Sequence, residues 1–229
     1  MKRVIYIIIL LLIILGGIFV YLTRPVHAPT LSESSKQADL NTVSNEEFVT
    51  IYEVDQSRSK AEFNIFEELY GKPFTVVGAT QSVFGELTLD TKNPEQSNLG
   101  TIKIDSRTLK TDSSKRDGAI ARIILNSEDQ QNNFIVFKPT STVAIPSDAK
   151  IDTDYKFKVT GMLTISGVEK QVIFDTKARM NKDGEIVGLA VADVKRSDFN
   201  LKIPNLSFLA NVSDSVTLKF NFTLVPKNN

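Results

Sequence analysis

Apolar and polar side chains alternate along residues 159–174 in two runs, one on either side of a turn. One face of the first run is apolar or small and carries Val159, Gly161, Leu163 and Ile165. Ser166-Gly167 interrupts the alternation, and Val172 and Phe174 resume it. Because side chains on a strand point to opposite faces with period two, this pattern predicts an antiparallel hairpin.

Similar short runs recur from Phe48 to the C-terminus, separated by clusters of Gly, Pro, Asn, Asp and Ser. They predict strands at residues 49–54, 60–66, 74–79, 83–89, 99–105, 134–143, 155–165, 171–179, 185–194 and 215–225. Residues 181–184 read as a tight turn in which Gly184 supplies a positive φ. The last run has the clearest apolar face, which consists of Val216, Leu218, Phe220, Phe222 and Leu224.

One helix signal interrupts these strands. Ile120, Ile123 and Ile124 form an apolar stripe at helical spacing, and Asp112 or Ser113 is predicted to cap the helix. Many antiparallel strands with one short helix predict an all-β fold, which leaves a sandwich and a barrel as alternatives. A closed barrel of about eight strands removes sheet edges and holds one small ligand.

The N-terminus carries a different pattern. Residues 4–22 form a run of 19 uncharged residues after Lys2 and Arg3, long enough as a helix to span roughly 28 Å. We predict an uncleaved transmembrane signal anchor at residues 1–23, a flexible linker at 24–47 and a β-domain at 48–229. A cleaved signal peptide is the alternative. The anchor would make this a single-pass protein of the cytoplasmic membrane, with its C-terminal domain extracytoplasmic, either periplasmic or on the cell surface.

Composition narrows the chemistry. The 27 basic and 27 acidic residues balance, so no basic field suggests nucleic acid as a partner. Cysteine is absent and His27, the single histidine, lies in the linker. Ser-His and Cys-His nucleophiles and the usual zinc sites are therefore excluded from the β-domain. We predict no cofactor and no enzymatic activity, with a carboxylate-only site left open. The oligomeric state is not predicted.

Several segments in order resemble the YceI-like family. The hairpin at 159–174 is similar to the family pattern v-x-G-x-L-T-i-x-G-v-x-k-x-v-x-f. Further resemblances, in chain order, are F-T-V-V-G-A-T-Q-S-V-F-G-E-L-T-L-D at 74–90, T-L-K-T-D-S-S-K-R-D at 108–117, F-I-V-F-K-P-T at 134–140, R-S-D-F at 196–199 and the closing strand at 212–222. Together they span roughly residues 50–225.

This resemblance implies a lipocalin-like antiparallel barrel with an elongated apolar cavity. The family is associated with binding polyisoprenoid or other long-chain lipids outside the cytoplasm. The chain departs from the family after Arg116-Asp117, where Gly118 stands in place of a frequent histidine. A contact made through that histidine is therefore lost.

We predict that a long-chain lipid or isoprenoid is bound inside the barrel. The predicted lining residues are Phe63, Ile65, Leu87, Ile104, Phe137, Leu163, Phe174, Leu218 and Phe220. Arg116 is predicted either to meet a polar head group at the mouth or to form a local ion pair that orders the helix. The alternative function is a tethered, non-enzymatic structural or protein-interaction module whose barrel is filled by its own side chains.

Overall fold

The computed structural model describes residues 48–141, 146, 149–204 and 209–227, with Leu209 and Ala210 as backbone only. The described residues belong to one compact unit, Val43–Asn229. The predicted anchor and linker lie outside the described residues. Within the described ranges, no helix has the length and apolar character needed to cross a membrane.

The described part is built almost wholly from antiparallel strands. The strands β1 to β13 are, in order, Val49–Val54, Lys60–Leu69, Lys72–Thr80, Val83–Phe84, Glu86–Asp90, Asn98–Leu99, Ile102–Asp105, Phe134–Pro139, Tyr155–Ile165, Val168–Met180, Ile186–Lys195, Leu209–Ala210 and Ser215–Pro226. All ten predicted strands are present, most of them with ends shifted by a few residues. Gly85 divides the predicted strand at 83–89 into β4 and β5.

Pairing joins these segments into a ring. β1 and β2 both pair with β13, one after the other, and so act as one bent wall strand. β3, β4 and β5 form the next wall strand, because β3 pairs with β2 and β5 with β1. β6 and β7 form the third, paired to β5 and β4.

The remaining neighbours close the ring. β7 pairs with β8, β8 with β9, β9 with β10, β10 with β11 and β11 with β13, all antiparallel. The pairings thus return to the first wall strand after eight positions. This confirms the predicted all-β, lipocalin-like antiparallel barrel of about eight strands and excludes the sandwich.

The helix α1 spans Ser114–Ala119 and continues into a π-helical turn at Ile120–Ile124. Ser113 is the N-cap residue, as one of the two predicted alternatives, and its carbonyl accepts from the Asp117 amide over 2.9 Å. Its side chain makes no capping hydrogen bond, and the Asp112 carboxylate accepts from Arg116 instead. The predicted stripe is partly wrong. Ile120 is buried and Ile124 packs against the core, whereas Ile123 is 62% exposed.

The two ends of the barrel differ. One end, which we term the closed end, holds α1, the Ser166-Gly167 turn and the described residues between β11 and β13. Leu109, Ile120, Leu125 and Phe199 are all buried there and pack in one hydrophobic cluster. We term this cluster the plug. The Ser166 hydroxyl donates to the Leu125 carbonyl over 2.8 Å and so ties the hairpin turn to the plug.

Connections 91–97 and 181–185, together with the described residues of 140–154, lie at the opposite end, which we term the mouth end. The described chain also enters and leaves the barrel here. The Thr91 amide donates to the Phe48 carbonyl over 2.9 Å, and the Lys227 amide donates to the Ile51 carbonyl over 2.8 Å. Gly184 has a φ of +75° in the turn at this end, as predicted.

Candidate functional site: the barrel cavity

A cavity of about 360 Å³ lies inside the barrel. Its wall is formed by inward-facing side chains of nearly every strand, because period-two alternation places one set of each strand in the lumen. Eight of the nine predicted lining residues are in this wall, namely Phe63, Leu87, Ile104, Phe137, Leu163, Phe174, Leu218 and Phe220. The cavity extends from Leu109 in the plug to Thr91 and Ile151 at the mouth end.

Aromatic rings pack closely against glycine positions of neighbouring strands. A Cβ built on Gly161 would meet the ring of Phe137, and one on Gly78 would meet the ring of Phe63. The ring of Phe222 covers Gly188, its direct cross-strand partner, in the same way. Large rings therefore occupy the volume that a methyl group would otherwise take, which leaves the centre of the lumen open.

The interior offers a ligand few polar partners. The Thr176 hydroxyl is buried in the wall but donates to the Phe174 carbonyl over 3.3 Å. At the mouth end, the Tyr155 hydroxyl accepts from the Lys150 amide over 2.9 Å. A molecule bound deep in the cavity therefore meets almost only hydrocarbon, which disfavours buried polar groups that lack a partner.

The mouth is bordered by two connections that also line the cavity. Thr91 and Pro94 come from the connection after β5, and Ala149, Lys150 and Ile151 from the connection before β9. Pro94 is buried, whereas the other four residues are exposed to solvent. The cavity wall is therefore continuous with the surface at this end.

Arg116 lies at the closed end and not at the mouth, and there it forms ion pairs that include a local one with Asp112. The guanidinium contacts the Glu67 carboxylate over 3.1 Å and also pairs with Asp112. The side chains of Arg116 and Glu67 are only 20% and 8% exposed. The ring of Phe74 packs 5.6 Å from the Arg116 guanidinium. These contacts bind α1 to β2 across the end of the barrel.

Comparison with known families agrees with this architecture. The YceI-like domain model matches residues 52–224. The chain belongs to the YceI-like family. No curated protein matches the sequence significantly.

Three solved structures share the fold of this YceI-like chain. BcnA of Burkholderia cenocepacia is 21% identical with a TM-score of 0.55, and the match covers 74% of this chain and 98% of that one. A polyisoprenoid binding domain from Saccharophagus degradans, described as implicated in plant cell wall breakdown, is 15% identical with a TM-score of 0.61, covering 77% and 98%. The YCEI protein of Campylobacter jejuni is 20% identical with a TM-score of 0.51, covering 66% and 85%.

Nearly the whole length of BcnA and of the Saccharophagus domain is covered by about three quarters of this sequence. The barrel unit Val43–Asn229 holds both hydrophobic clusters of the described residues. Because both clusters lie within it, we expect this YceI-like unit to fold by itself.

One predicted lining residue, Ile65, is absent from the cavity wall. It lies toward the closed end of β2, opposite Val76 and Val216. Arg116 is likewise absent from the wall. Whether any of the ten predicted residues contacts a ligand stays a prediction for this YceI-like domain.

Other wall residues were missed, although the alternation already places them on the inner face. They include Ala61, Leu89, Ile102, Ile135, Phe157, Val159, Ile165, Ala178, Met180, Ile186, Ala190, Phe222 and Leu224. The period-two pattern of each strand was the available signal. The mouth residues Pro94, Lys150 and Ile151 carried no such signal, because they lie in connections.

Arg196 of the R-S-D-F segment has structural partners at the closed end. It donates to the carbonyls of Ser213 and Leu201 over 3.1 Å each and lies 3.9 Å from the Asp214 carboxylate. Asp214 is therefore its acidic partner. The Ser197 hydroxyl and amide bind the Asp214 carboxylate and, as its main hydrogen-bond donors, lower the pKa of Asp214.

A carboxylate with a strongly lowered pKa lies in the bend between β1 and β2. The Ser57 hydroxyl and the Arg58 guanidinium each bind Asp55 over 2.6 Å and hold its pKa at about 2, below the ordinary 3.8. Arg58 also contacts Glu185 over 2.8 Å. These contacts link the bend to the turn at the mouth end. Asp90 borders the cavity at the same end, and the hydrogen bond from the Asn93 amide, 2.7 Å long, is the main cause that lowers its pKa.

Proposed function

We propose that this protein binds or sequesters a long-chain apolar ligand, an isoprenoid or another lipid, inside the barrel. The observation that carries the proposal is the cavity of about 360 Å³ with a nearly continuous hydrocarbon wall. This volume falls within the range of roughly 300–1,000 Å³ typical of small-molecule sites. A barrel filled by its own side chains would leave no such space.

The mechanism we propose is burial without chemistry. Each CH₂ group withdrawn from water contributes about 0.8 kcal/mol, so a long chain binds tightly with few polar contacts. Because the Thr176 hydroxyl is already engaged by a backbone carbonyl, the interior selects against polar groups. A ligand with a polar head would therefore place its chain inside and its head at the mouth.

Likeness to the Saccharophagus polyisoprenoid binding domain supports the class of ligand. At 15% identity this likeness shows a shared fold and no more. The ligand assignment therefore rests on the cavity of this chain. An isoprenoid fits that cavity because its branched chain is wholly apolar. A linear acyl chain meets the same chemical requirement.

We also propose a binder and not an enzyme. The buried carboxylates of the described residues are engaged by arginine, as Glu67 is by Arg116 at 3.1 Å and Asp105 is by Arg107 at 2.7 Å. Such carboxylates are poorly placed to act as free acids or bases toward a molecule in the cavity. Turnover of lipid phosphates or glycans by the purified protein would contradict this proposal.

For location, we propose a single transmembrane anchor at residues 1–23 that holds the barrel on the outer side of the cytoplasmic membrane. The apolar run at 4–22 motivates the anchor. The described chain begins with Phe48 at the mouth end, where its carbonyl accepts from the cavity residue Thr91. An anchored chain would thus meet the barrel beside the opening. Deleting residues 1–24 while retaining export should reduce lipid loading in cells.

Native mass spectrometry of the exported unit Val43–Asn229, before and after organic extraction, tests the central proposal. We expect a discrete added mass that extraction removes and that fragments as a prenyl or acyl chain. A clean apo mass that stays unchanged after incubation with isoprenoids would instead favour a tethered interaction module.

A further inference from the structure

We propose that the rim of the mouth contacts a lipid bilayer directly, so that the ligand passes between membrane and cavity without crossing water. This inference rests on the proposed binding function. The rim is defined by Phe48 and Lys92 on one side of the opening and by Lys150 and Ile151 on the other. The occupant of this surface is the bilayer.

The first observation is the placement of exposed apolar side chains. Ile151 lines the cavity and is also 57% exposed, so one side chain joins the lumen to the surface. Phe48 is 38% exposed beside the opening, and its carbonyl is bonded to the cavity residue Thr91. Single exposed apolar residues are common on proteins. These two differ because they border the route by which an apolar ligand enters.

The second observation is that each apolar side chain has a lysine beside it. The Lys92 ammonium lies 5.3 Å from the centre of the Phe48 ring. Lys150 precedes Ile151, and its backbone is held by the Tyr155 hydroxyl over 2.9 Å. Rings and aliphatic groups enter the interfacial region of a bilayer, while lysine keeps its ammonium among the head groups.

The third observation is where the rest of the chain joins the barrel. The 47 residues before Phe48 include the uncharged run at 4–22, and the described chain starts at the rim itself. A membrane-held N-terminal segment would therefore lead into the barrel at the surface that we assign to the bilayer.

Charge adds little to this contact. The two connections carry Lys92 and Lys150 against Glu95, Asp148, Asp152 and Asp154, so their net charge is −2 and does not favour anionic lipid. The proposal is therefore a mainly apolar contact. It should persist on uncharged phosphatidylcholine vesicles and at about 0.5 M salt, where screening is strong.

Transfer kinetics test the rim directly. The unit Val43–Asn229 is loaded with fluorescently labelled geranylgeraniol and mixed with phosphatidylcholine vesicles that contain a quencher. If transfer requires contact, its rate rises in proportion to vesicle concentration. If the ligand first dissociates into water, the rate stays constant.

Matched variants identify the surface. Phe48→Ser and Ile151→Ser alter the rim, while Phe84→Ser and Ile173→Ser remove side chains that are 44% and 49% exposed on the outer wall. We expect each rim variant to lower the dependence on vesicle concentration by roughly threefold to tenfold, from the apolar area lost. The wall variants should stay within about twofold. Affinity for the probe is measured alongside, because Ile151 also lines the cavity.

Each outcome decides a separate claim. A rate that ignores vesicle concentration, or rim variants that behave like the wall variants, would overturn the rim contact while leaving ligand binding intact. A dependence on vesicle concentration that is seen only with anionic lipid would also overturn it. The same holds if the wild-type unit forms a dimer in solution and Phe48→Ser acts only by dissociating that dimer. Failure of the wild-type unit to take up the probe would remove the proposed function itself.

Discussion

The ring of Phe137 lies against Gly161 on the neighbouring strand, where no Cβ separates ring and backbone. A Cβ at Gly161 would also come within 2.6 Å of the Lys138 carbonyl oxygen. Glycine is therefore required at this position by the close approach of two strands and one ring. The same arrangement at Gly78 and Gly188 keeps two further rings against the wall of the cavity.

Gly161→Ala should destabilise the barrel by roughly 1–3 kcal/mol, since the added methyl group overpacks a site that has no free volume. Urea unfolding of the barrel unit measures the change. Thr160→Ala, on the outer face of the same strand, is the control and should cost no more than about 0.5 kcal/mol. Equal stability of the Gly161 variant and the wild type would show that the wall yields more readily than the contact suggests.

Ala190→Leu should block the ligand without unfolding the protein. Ala190 lines the cavity opposite Phe220, and a larger side chain there extends into open space. We expect at least about tenfold weaker binding of labelled geranylgeraniol, because a leucine side chain takes volume that several CH₂ groups of the ligand need.

The control for that variant is Val191→Leu, which enlarges the next side chain on the outward face of the same strand. Its affinity for the probe should equal that of the wild type. Unchanged binding by Ala190→Leu, with the melting temperature retained, would place the ligand somewhere other than this cavity.

Arg116→Ala should destabilise the protein by about 3 kcal/mol, since it leaves the Glu67 carboxylate buried without a counter-charge. Chemical denaturation measures the loss. The exposed pair of Arg122 and Glu128, whose side chains are 69% and 70% accessible, provides the control. Arg122→Ala should cost no more than about 0.5 kcal/mol.

A double variant, Arg116→Met with Glu67→Leu, should recover much of that stability, because it removes both charges together. Molecules that remain folded should bind ligand as the wild type does, since neither residue lines the cavity. Loss of binding in a folded Arg116 variant would mean that the closed end takes part in recognition.

Acid should weaken the barrel as Asp55 becomes protonated. The folded pKa of Asp55 is about 2 and lies below the ordinary 3.8. Ionised Asp55 therefore stabilises the folded state above the ordinary pKa, and that stability is lost as pH falls from about 4 toward 2. Asp55→Asn should flatten this part of a plot of urea midpoint against pH.

Asp183→Asn is the control for the acid measurement, because that carboxylate has no ion pair in the described part of the chain. Its plot should follow that of the wild type. If the Asp55 and Asp183 variants give the same curve, other carboxylates set the acid limit. Asp105, whose pKa is lowered chiefly by its hydrogen bond to the Arg107 guanidinium, would then be the next position to test.

The wall of the barrel was predictable because burial fixes the register of each strand. A shift by one residue would turn Leu218 and Phe220 to the outside, so alternation alone identified the inner face. Eight of nine lining predictions entered the wall for this reason. The alternation did not predict which strands pair with each other. β13 is the last strand of the described chain, yet it pairs with β1 and β2, which are the first two.

Two features depended on contacts that a local pattern does not contain. Arg116 is held by Glu67, which is 49 residues away in the sequence, so no spacing rule placed it at the closed end. Ile123 shares helical spacing with Ile120 yet is exposed. The π-helical turn at Ile120–Ile124 changes the angle between successive side chains, which breaks the expected stripe.

The first and last strands of the described barrel chain, β1 and β13, pair with each other, and Tyr52 of β1 lies opposite Pro226 of β13. The two ends of the described chain are therefore close together. A short linker would therefore join them, and new termini could be opened at the Ser166-Gly167 turn on the opposite side of the molecule. Such a circular permutant would keep every wall strand, but an N-terminal segment would then be attached at the closed end. An experiment could then change which end of the barrel faces the attached segment while the ligand cavity stays the same.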